Sequence, residues 1–164
     1  MVFILFISFV VLLRFAELIH SKRNEKWLVA NGAFEYGQKH YPYIVLVHIL
    51  FFMSLIVEYA VKQTATYSFP LMIFFFLILG VKIYVVFTLG KFWNTKIYHI
   101  PDTPVIRKGF YLYFKHPNYM IVIIEIALIP CIFQLYITAV IFSILNSVML
   151  FIRIKEENKV LMMR

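Results

Sequence analysis

The sequence is poor in the residues on which several classes of protein depend. It contains 1 Cys, 5 Gly and 6 Pro among 164 residues. A single cysteine excludes a disulfide framework and a cysteine-rich zinc or iron–sulfur site, and so little glycine and proline excludes a collagen-like or low-complexity chain. Charged residues make up 15% of the chain, against about 25% in a typical soluble domain. The sequence is therefore not that of an ordinary soluble protein.

What the chain has instead is long apolar runs, and hydrophobic residues reach 63%. A helix that crosses a bilayer needs about 20 mostly apolar residues, which residues 2–19, 43–61 and 69–89 supply. A fourth run, 119–152, is too long for one helix and is interrupted by Pro130. We therefore predict a helical hairpin there, with spans 119–133 and 136–153. The whole prediction is a single all-α domain, 1–164, with five transmembrane helices.

The distribution of charge predicts which side of the membrane each segment faces. A net charge of +8 would suggest nucleic acid as the partner of a soluble protein. Here the basic residues lie between the apolar runs, which indicates membrane lipids as partners and no nucleic acid. Most Lys and Arg residues fall in 20–42, in 90–118 and in the tail from Arg153. By the positive-inside rule these segments are cytoplasmic and the N-terminus lies outside.

Ionisable side chains inside the spans need partners, because a charge at the centre of a span costs about 2.5–3.5 kcal/mol. Arg14 and Glu17 have the spacing of a pair on one helix face, which either faces other helices or forms the wall of a polar pocket. We expect His48 to bond to a neighbouring helix. Lys82 either reaches the cytoplasmic surface or pairs with a glutamate, and Glu125 either pairs or contacts a substrate.

The longest polar connection, residues 90–119, contains three prolines and many aromatic side chains. On its own it is also typical of an interfacial aromatic belt. The last helix is predicted to continue into the cytoplasm, and its Asn146, Arg153 and Glu157, separated by seven and then four residues, share one face. The five histidines have no His-x-x-His or His-x-x-x-His spacing, so we predict no metal site.

Two motifs in these regions resemble the isoprenylcysteine carboxyl methyltransferase family of membrane enzymes. The first is Gly109-Phe110-Tyr111 followed by Lys115-His116-Pro117-Asn118-Tyr119, and the second, after the hairpin, is Arg153 with Glu156, Glu157 and Leu161. The family usually has Arg where this chain has Lys115, which keeps the charge but loses the planar guanidinium. The resemblance covers residues 93–161.

The resemblance implies S-adenosylmethionine as methyl donor and S-adenosylhomocysteine as product. The cofactor-binding residues it implies are Thr103, Pro104, Val105, Ile106, Tyr111, His116, Pro117, Asn118, Tyr119 and Glu157. Arg153 is implied as the catalytic residue that holds the acceptor oxygen, because a guanidinium favours the ionised form of an enol or a carboxylic acid. We predict Glu125 as a second catalytic residue, and Trp93 and Asn146 as substrate contacts beside Arg153.

The N-terminal half, RFAELIHSKRNEKWLVANGAFEYGQKHYP, is similar to a bacterial branch of the family that includes alkylpyrone O-methyltransferases acting beside type III polyketide synthases. This resemblance implies an alkylpyrone or related polyketide hydroxyl as acceptor, and the bacterial cell membrane as location. The alternative acceptor is the carboxyl group of a prenylcysteine-like or other lipidic acid. Alternatives of another class are a small lipid-binding or transport protein and a nicotinamide-dependent membrane reductase.

Overall fold

The computed structural model describes residues 1–62, 66–101, 103–104 and 106–161, with residue 161 described by its backbone only. Five α-helices follow one another along the chain, and two short strands lie in the connections. The helices are α1 Val2–Ala30, α2 Tyr41–Lys62, α3 Phe69–Leu89, α4 Pro117–Ile132 and α5 Tyr136–Leu161, and the strands are β1 Phe34–Tyr36 and β2 Ile97–His99. Single 3-10 turns lie at Gly90–Phe92 and Gly109–Leu112.

Among the described residues, four helices, α1, α2, α3 and α5, are long and apolar enough to cross a membrane. The apolar helix α4 has only 16 residues, about 24 Å at 1.5 Å per residue, against a hydrocarbon core of roughly 30 Å. The prediction of a helical membrane protein is confirmed. Helices α1 and α5 run beyond the predicted spans, to residues 30 and 161, because no glycine or proline interrupts their polar ends.

The predicted hairpin is present, with α4 and α5 joined by residues 133–135. Gln134 adopts a positive φ of 59° in this turn. The Glu58 carboxylate of α2 accepts the backbone N–H groups of Ile137 and Thr138 at 3.2 and 2.8 Å. It therefore satisfies donors in the first turn of α5 that have no partner within the helix.

The two strands form an antiparallel pair, with Phe34 opposite His99 and Tyr36 opposite Ile97. This small sheet corrects the all-α prediction. Strands of three residues are too short to show the alternation of apolar and polar residues by which a strand is recognised in a sequence. The pairing brings the connection between α1 and α2 beside the long polar segment 90–119.

Aromatic packing fills the end of the bundle that contains the α4–α5 turn, which we call the closed end (Phe3, Phe6, Tyr59, Phe75 and Phe133). Phe3 stacks on Tyr59 with ring centroids 3.7 Å apart and meets the edge of Phe133 at 5.0 Å. Phe6 contacts Phe75 at 4.9 Å. The four phenylalanines are each at most 6% exposed, so the van der Waals contacts of their closely packed rings stabilise this end of the bundle.

Four charged side chains, with Lys82 and Glu125 buried and Arg14 and Glu17 half-buried, form an ion cluster between α1, α3 and α4. Arg14 contacts Glu17 at 2.9 Å and Glu125 at 2.7 Å, and Lys82 contacts Glu125 at 3.1 Å and also Glu17. Two cations and two carboxylates balance, and paired charges are the kind that an apolar interior tolerates. The predicted Arg14–Glu17 pair is confirmed, and Lys82 pairs with glutamates instead of reaching the surface.

His48 on α2 departs from the prediction. Its Nδ1 lies 2.8 Å from the carbonyl oxygen of Ile44, one turn earlier in the same helix. Among the described residues no hydrogen bond joins His48 to a neighbouring helix, so the expected bond is not found there, and a backbone carbonyl four residues back takes one ring nitrogen instead. A local backbone acceptor of this kind competes with more distant partners.

Candidate active site

A cavity of about 630 Å³ opens at the end of the bundle opposite the closed end, and we call this the open end. Its wall combines the polar segment 90–119 with the last turns of α5 and with Leu28 of α1. The volume lies in the range of small-molecule and cofactor sites. The predicted site residues that line it are Trp93, Thr103, Pro104, Ile106, Tyr111, His116, Pro117, Asn118, Tyr119, Arg153 and Glu157.

Two of the described site residues that were predicted, Glu125 and Asn146, do not line this wall, and Val105 lies outside the described residues. Glu125 belongs to the ion cluster, where Arg14 and Lys82 hold its carboxylate. Asn146 is buried on α5, seven residues before Arg153 and so about 10 Å deeper in the bundle, and its Nδ2 has no hydrogen-bond partner among the described residues.

The centre of the cavity wall is a contact between α4 and α5. Tyr119, in the first turn of α4, donates its hydroxyl hydrogen to the Glu157 carboxylate and accepts the Nε–H of Arg153 at 2.7 Å. The His116 ring stacks on Tyr119 with centroids 5.2 Å apart, and its Nδ1 lies 3.5 Å from Glu157. Pro117 fixes the first turn of α4, because its locked φ suits that position.

At this contact Tyr119 holds the Arg153 guanidinium in place, and the positive charge of that group is only partly neutralised. Arg153 is buried, and among the described residues its only hydrogen-bond partner is Tyr119, through Nε. Its two terminal nitrogens therefore remain available to a bound oxygen anion. Burial, and then the negative charge of Glu157, raise the pKa of the Tyr111 phenol well above its usual range. Tyr111 is consequently a hydrogen-bond donor and not an anion.

Gly109 explains the position of Tyr111 two residues later. Its φ is +53°, and a Cβ at this position would lie 2.8 Å from the Tyr84 hydroxyl oxygen. Only glycine adopts this backbone without strain and fits this space. Phe110 then packs edge-on against Tyr84 at 5.7 Å, which fixes the turn on α3.

Two polar atoms in the wall are buried without a partner among the described residues. They are Trp93 Nε1, a donor, and Asn118 Oδ1, an acceptor. A native interior leaves few such atoms unsatisfied. Asn118 Oδ1, together with the Glu157 carboxylate and several aromatic faces, matches the ammonium and the adenine of S-adenosylmethionine in kind. The residues present therefore fit this cofactor.

Hydrogen bonds from α1 hold the segment that carries Trp93, and sequence reasoning missed them. Asn24 donates from Nδ2 to the carbonyl oxygens of Trp93 at 2.7 Å and Gly90 at 3.1 Å. The Ser21 hydroxyl donates to Asn94 Oδ1 at 3.0 Å and lies 3.0 Å from the backbone nitrogen of Thr95, from which it accepts. Both side chains are buried. In the sequence they stand among charged residues and give no sign of burial.

Lys96 and Tyr98 connect the small sheet to α1. The Lys96 ammonium contacts Glu25 at 3.1 Å and Glu35 at 3.4 Å, and Tyr98 donates to the same two carboxylates. Burial alone would lower the pKa of the Lys96 ammonium, but the two glutamates outweigh it and the pKa is raised. This network was also missed, since its members come from three separate segments.

His40, the residue before α2, lies close enough to Arg153 to feel its charge. Burial, and then the positive charge of Arg153, lower the pKa of the His40 imidazole, which favours the neutral ring. The Gly37 turn packs against this ring, because a Cβ at Gly37 would overlap it. No motif in the sequence relates His40 to Arg153.

Comparisons with known proteins agree with this geometry. The family model for the isoprenylcysteine carboxyl methyltransferase (ICMT) family matches residues 71–163. The chain is 41% identical over 161 residues to the uncharacterized protein YpbQ of Bacillus subtilis (strain 168), which covers 97% of this chain and 96% of that protein. It is also 33% identical over 150 residues to an uncharacterized protein of Haemophilus influenzae, 88% of this chain and 86% of that one. No solved structure matches.

The family match covers more than half of the chain and includes all the described residues of α4 and α5 that line the cavity. Methyltransferases of this family use S-adenosylmethionine as methyl donor. The chain belongs to the isoprenylcysteine carboxyl methyltransferase family and is an S-adenosylmethionine-dependent membrane methyltransferase.

Proposed function

We propose that the protein transfers a methyl group to an acidic oxygen of a lipophilic acceptor at the membrane surface. The observation that carries this proposal is the Arg153–Tyr119–Glu157 contact at the wall of the 630 Å³ cavity. An anion-binding guanidinium and a cation-binding carboxylate lie one helical turn apart on α5. A cationic donor and an anionic acceptor can therefore be held side by side.

The donor side of the site is formed by Glu157, by residues 116–119 and by the segment that contains Thr103, Pro104, Val105 and Ile106. Glu157 receives the ammonium group and Asn118 Oδ1 accepts a further hydrogen bond. When bound, S-adenosylmethionine supplies a methyl carbon activated by a positively charged sulfur. The aromatic rings of Tyr111, His116 and Tyr119 favour that cation and limit access of water.

On the acceptor side Arg153 binds the oxygen in its ionised form. Tyr119 holds the guanidinium by Nε, so the terminal nitrogens point to the bound oxygen without loss of further rotamer freedom. Trp93 Nε1 supplies a second donor. A carboxylic acid, or an enol of similar acidity, has already given its proton to water at neutral pH, so the oxygen attacks as an anion and no base is required.

The first candidate for the acceptor is an alkylpyrone or related polyketide hydroxyl, with a type III polyketide synthase as its source. The similarity of residues 14–42 to the alkylpyrone branch supports it. The second candidate is a carboxyl group of a prenylcysteine-like or other lipidic acid, which the description of the matched family favours. Asn146 Nδ2, about 10 Å deeper than Arg153, suits a second oxygen of the acceptor. The catalytic role of Glu125 stays a prediction.

The topology we propose has five spans, with α4 completing the set through the hairpin. The N-terminus is outside, and the C-terminus and the cavity face the cytoplasm of a bacterial cell. Support comes from the basic segments 20–42 and 90–118, which adjoin the open end. The cofactor then enters from the cytoplasm and the acceptor from the lipid. The chain acts as one domain over residues 1–164.

The test is incubation of purified protein with labelled S-adenosylmethionine and two panels of acceptors. One contains long-chain pyrones, resorcinols and other polyketide phenols, and the other contains prenylcysteine acids. We expect label in the first panel and little in the second, and none in either with Arg153→Ala. Label in the prenylcysteine acids alone would show that the acceptor is a lipidic carboxyl group and not a polyketide hydroxyl. Absence of label in every lipophilic oxygen would overturn the proposal.

A further inference from the structure

A second cleft, of about 500 Å³, lies beside the main cavity. Three of its lining side chains are cations, Lys91, Arg107 and Lys108, and none of the described lining residues is acidic. The remaining wall is apolar or aromatic except for Thr88, whose hydroxyl donates to the Tyr84 carbonyl oxygen. It consists of Trp27, Thr88, Leu89, Phe92, Pro104 and Ile106.

The cations of this cleft are exposed, and they differ in their partners from two cations that lie deeper in the molecule. Lys82 and Lys96 are each held by two carboxylates. By contrast, neither Arg107 nor Lys108 has an ion-pair partner among the described residues, and Lys91 lies over the Trp27 ring at 5.3 Å. Three like charges around one cleft repel one another, and an anion bound between them would remove that repulsion.

The cleft lies at the end of the apolar helix α3. Thr88 and Leu89 are the last residues of α3, and Trp27 is in the last turn of α1, beyond the apolar part of that helix. Trp27 meets Phe92 edge-on at 5.4 Å, and aromatic side chains of this kind are enriched where lipid headgroups meet acyl chains. Cations beside apolar and aromatic side chains at the end of a span suit a molecule with an anionic head and an apolar body.

The geometry points to a binding site for the phosphate group of an anionic phospholipid in this cleft. Free phosphate shares the anionic chemistry, but it would leave Leu89, Phe92 and Ile106 exposed to water, whereas a lipid covers them. Pro104, Ile106 and Arg107 line both this cleft and the main cavity. A bound lipid therefore supports one wall of the S-adenosylmethionine site. This consequence rests on the proposed function, whereas the binding of the lipid does not.

The test uses tryptophan fluorescence, because the chain has 2 Trp residues. In a Trp93→Phe variant the signal comes from Trp27 alone, at the wall of the cleft. The protein is reconstituted in vesicles of phosphatidylcholine and phosphatidylglycerol in equal amounts, and one lipid at a time carries brominated chains. We expect brominated phosphatidylglycerol to quench Trp27 more strongly, with a several-fold preference over phosphatidylcholine.

In the Lys91→Gln/Lys108→Gln variant this several-fold preference is expected to disappear, because two of the three cations of the cleft are removed. The matched control, Lys39→Gln/Lys155→Gln, removes the same charge from exposed positions outside the cleft and keeps the preference. Equal quenching by both lipids in the parent protein would overturn the site. So would a control variant that loses the preference for phosphatidylglycerol as much as the Lys91→Gln/Lys108→Gln variant does. Loss of the preference on addition of millimolar inorganic phosphate at constant ionic strength would assign the cleft to free phosphate and overturn the lipid. Because no methyl transfer is measured, failure of the proposed function leaves this result unaffected.

Discussion

The two ends of the helical bundle are held together by different forces. At the closed end, Phe3, Phe6, Phe75 and Phe133 pack ring against ring in a dry core. At the open end, hydrogen bonds and ion pairs join α1, the sheet, α4 and α5 around a cavity. Apolar packing is non-directional and tolerates adjustment, whereas a polar network depends on each donor and acceptor. We therefore expect the closed end to contribute mainly to the stability of the fold and the open end to carry out the reaction.

The largest expected effects come from one substitution at each end. Arg153→Ala should lower kcat/KM by about 10²–10³-fold, as loss of a preorganised donor to an anionic oxygen does. It should change the thermal unfolding temperature little. Phe133→Ala, at a position 1% exposed, should destabilise by about 3–5 kcal/mol but leave kcat/KM of the folded fraction near that of the parent. The measurements are initial rates and thermal unfolding in detergent. Equal loss of activity in both variants would contradict the assignment of stability to the closed end and of reactivity to the open end.

The ion cluster lies between the two ends, and Glu125→Gln tests to which of them it belongs. The single change leaves Arg14 and Lys82 with one carboxylate and should cost about 3–5 kcal/mol, the usual result of breaking a buried pair. Adding Lys82→Met restores the charge balance with the Arg14–Glu17 pair intact.

If Glu125 has only a structural role, the double variant should regain both the unfolding temperature and the methyl-transfer activity of the parent. If stability returns and activity does not, Glu125 is catalytic, as the sequence predicted, and the cluster belongs to the reactive end. The readouts are thermal unfolding and initial rates on the same preparations.

Asn24→Ala should have a smaller effect, confined to the open end. It removes the Asn24 donor from the buried carbonyl oxygen of Trp93, whereas the Gly90 carbonyl oxygen still accepts the backbone N–H of Trp93, and we expect a cost of about 1–3 kcal/mol. The segment that carries Trp93 is then less firmly held, so we expect KM for the acceptor to rise several-fold while the Kd for S-adenosylmethionine is kept. Asn31→Ala is the control, since its bond to the Trp27 carbonyl is exposed. Weaker binding of S-adenosylmethionine by Asn24→Ala would contradict the assignment of Trp93 to the acceptor side.

The smallest expected effect is the pH dependence that His40 contributes. Its folded pKa is lowered by burial and by Arg153, so the unfolded state binds more protons below pH of about 6.5. The contribution to stability is therefore complete above that pH and is lost as pH falls toward the folded pKa. His40→Asn should reduce the difference in unfolding temperature between pH 7.5 and pH 5.5. An unchanged difference would show that His40 does not titrate beside Arg153.

What could be predicted from the sequence follows the same division. The apolar runs predicted the helices and the hairpin, because a span needs only length and hydropathy. The short motifs around His116 and Arg153 predicted the part of the cavity wall where α4 meets α5, since each is local in the chain. The contacts of Asn24 with Trp93 and of Lys96 with Glu35 could not be predicted. They join residues 61–69 positions apart, and a single sequence carries no signal of such pairings.

The measurement that tests the central claim most directly is the affinity for S-adenosylmethionine of two glutamate variants that differ by one position. Glu157 lies in the cavity wall against Tyr119, whereas Glu156 pairs with Lys159 at 2.6 Å outside it. Glu157→Gln keeps a hydrogen-bond acceptor for Tyr119 but removes the charge. By titration calorimetry it should weaken binding about 10–100-fold, the usual worth of a hydrogen bond to a charged group, and Glu156→Gln should bind like the parent. Equal affinity in all three proteins would contradict the placement of the cofactor in this cavity.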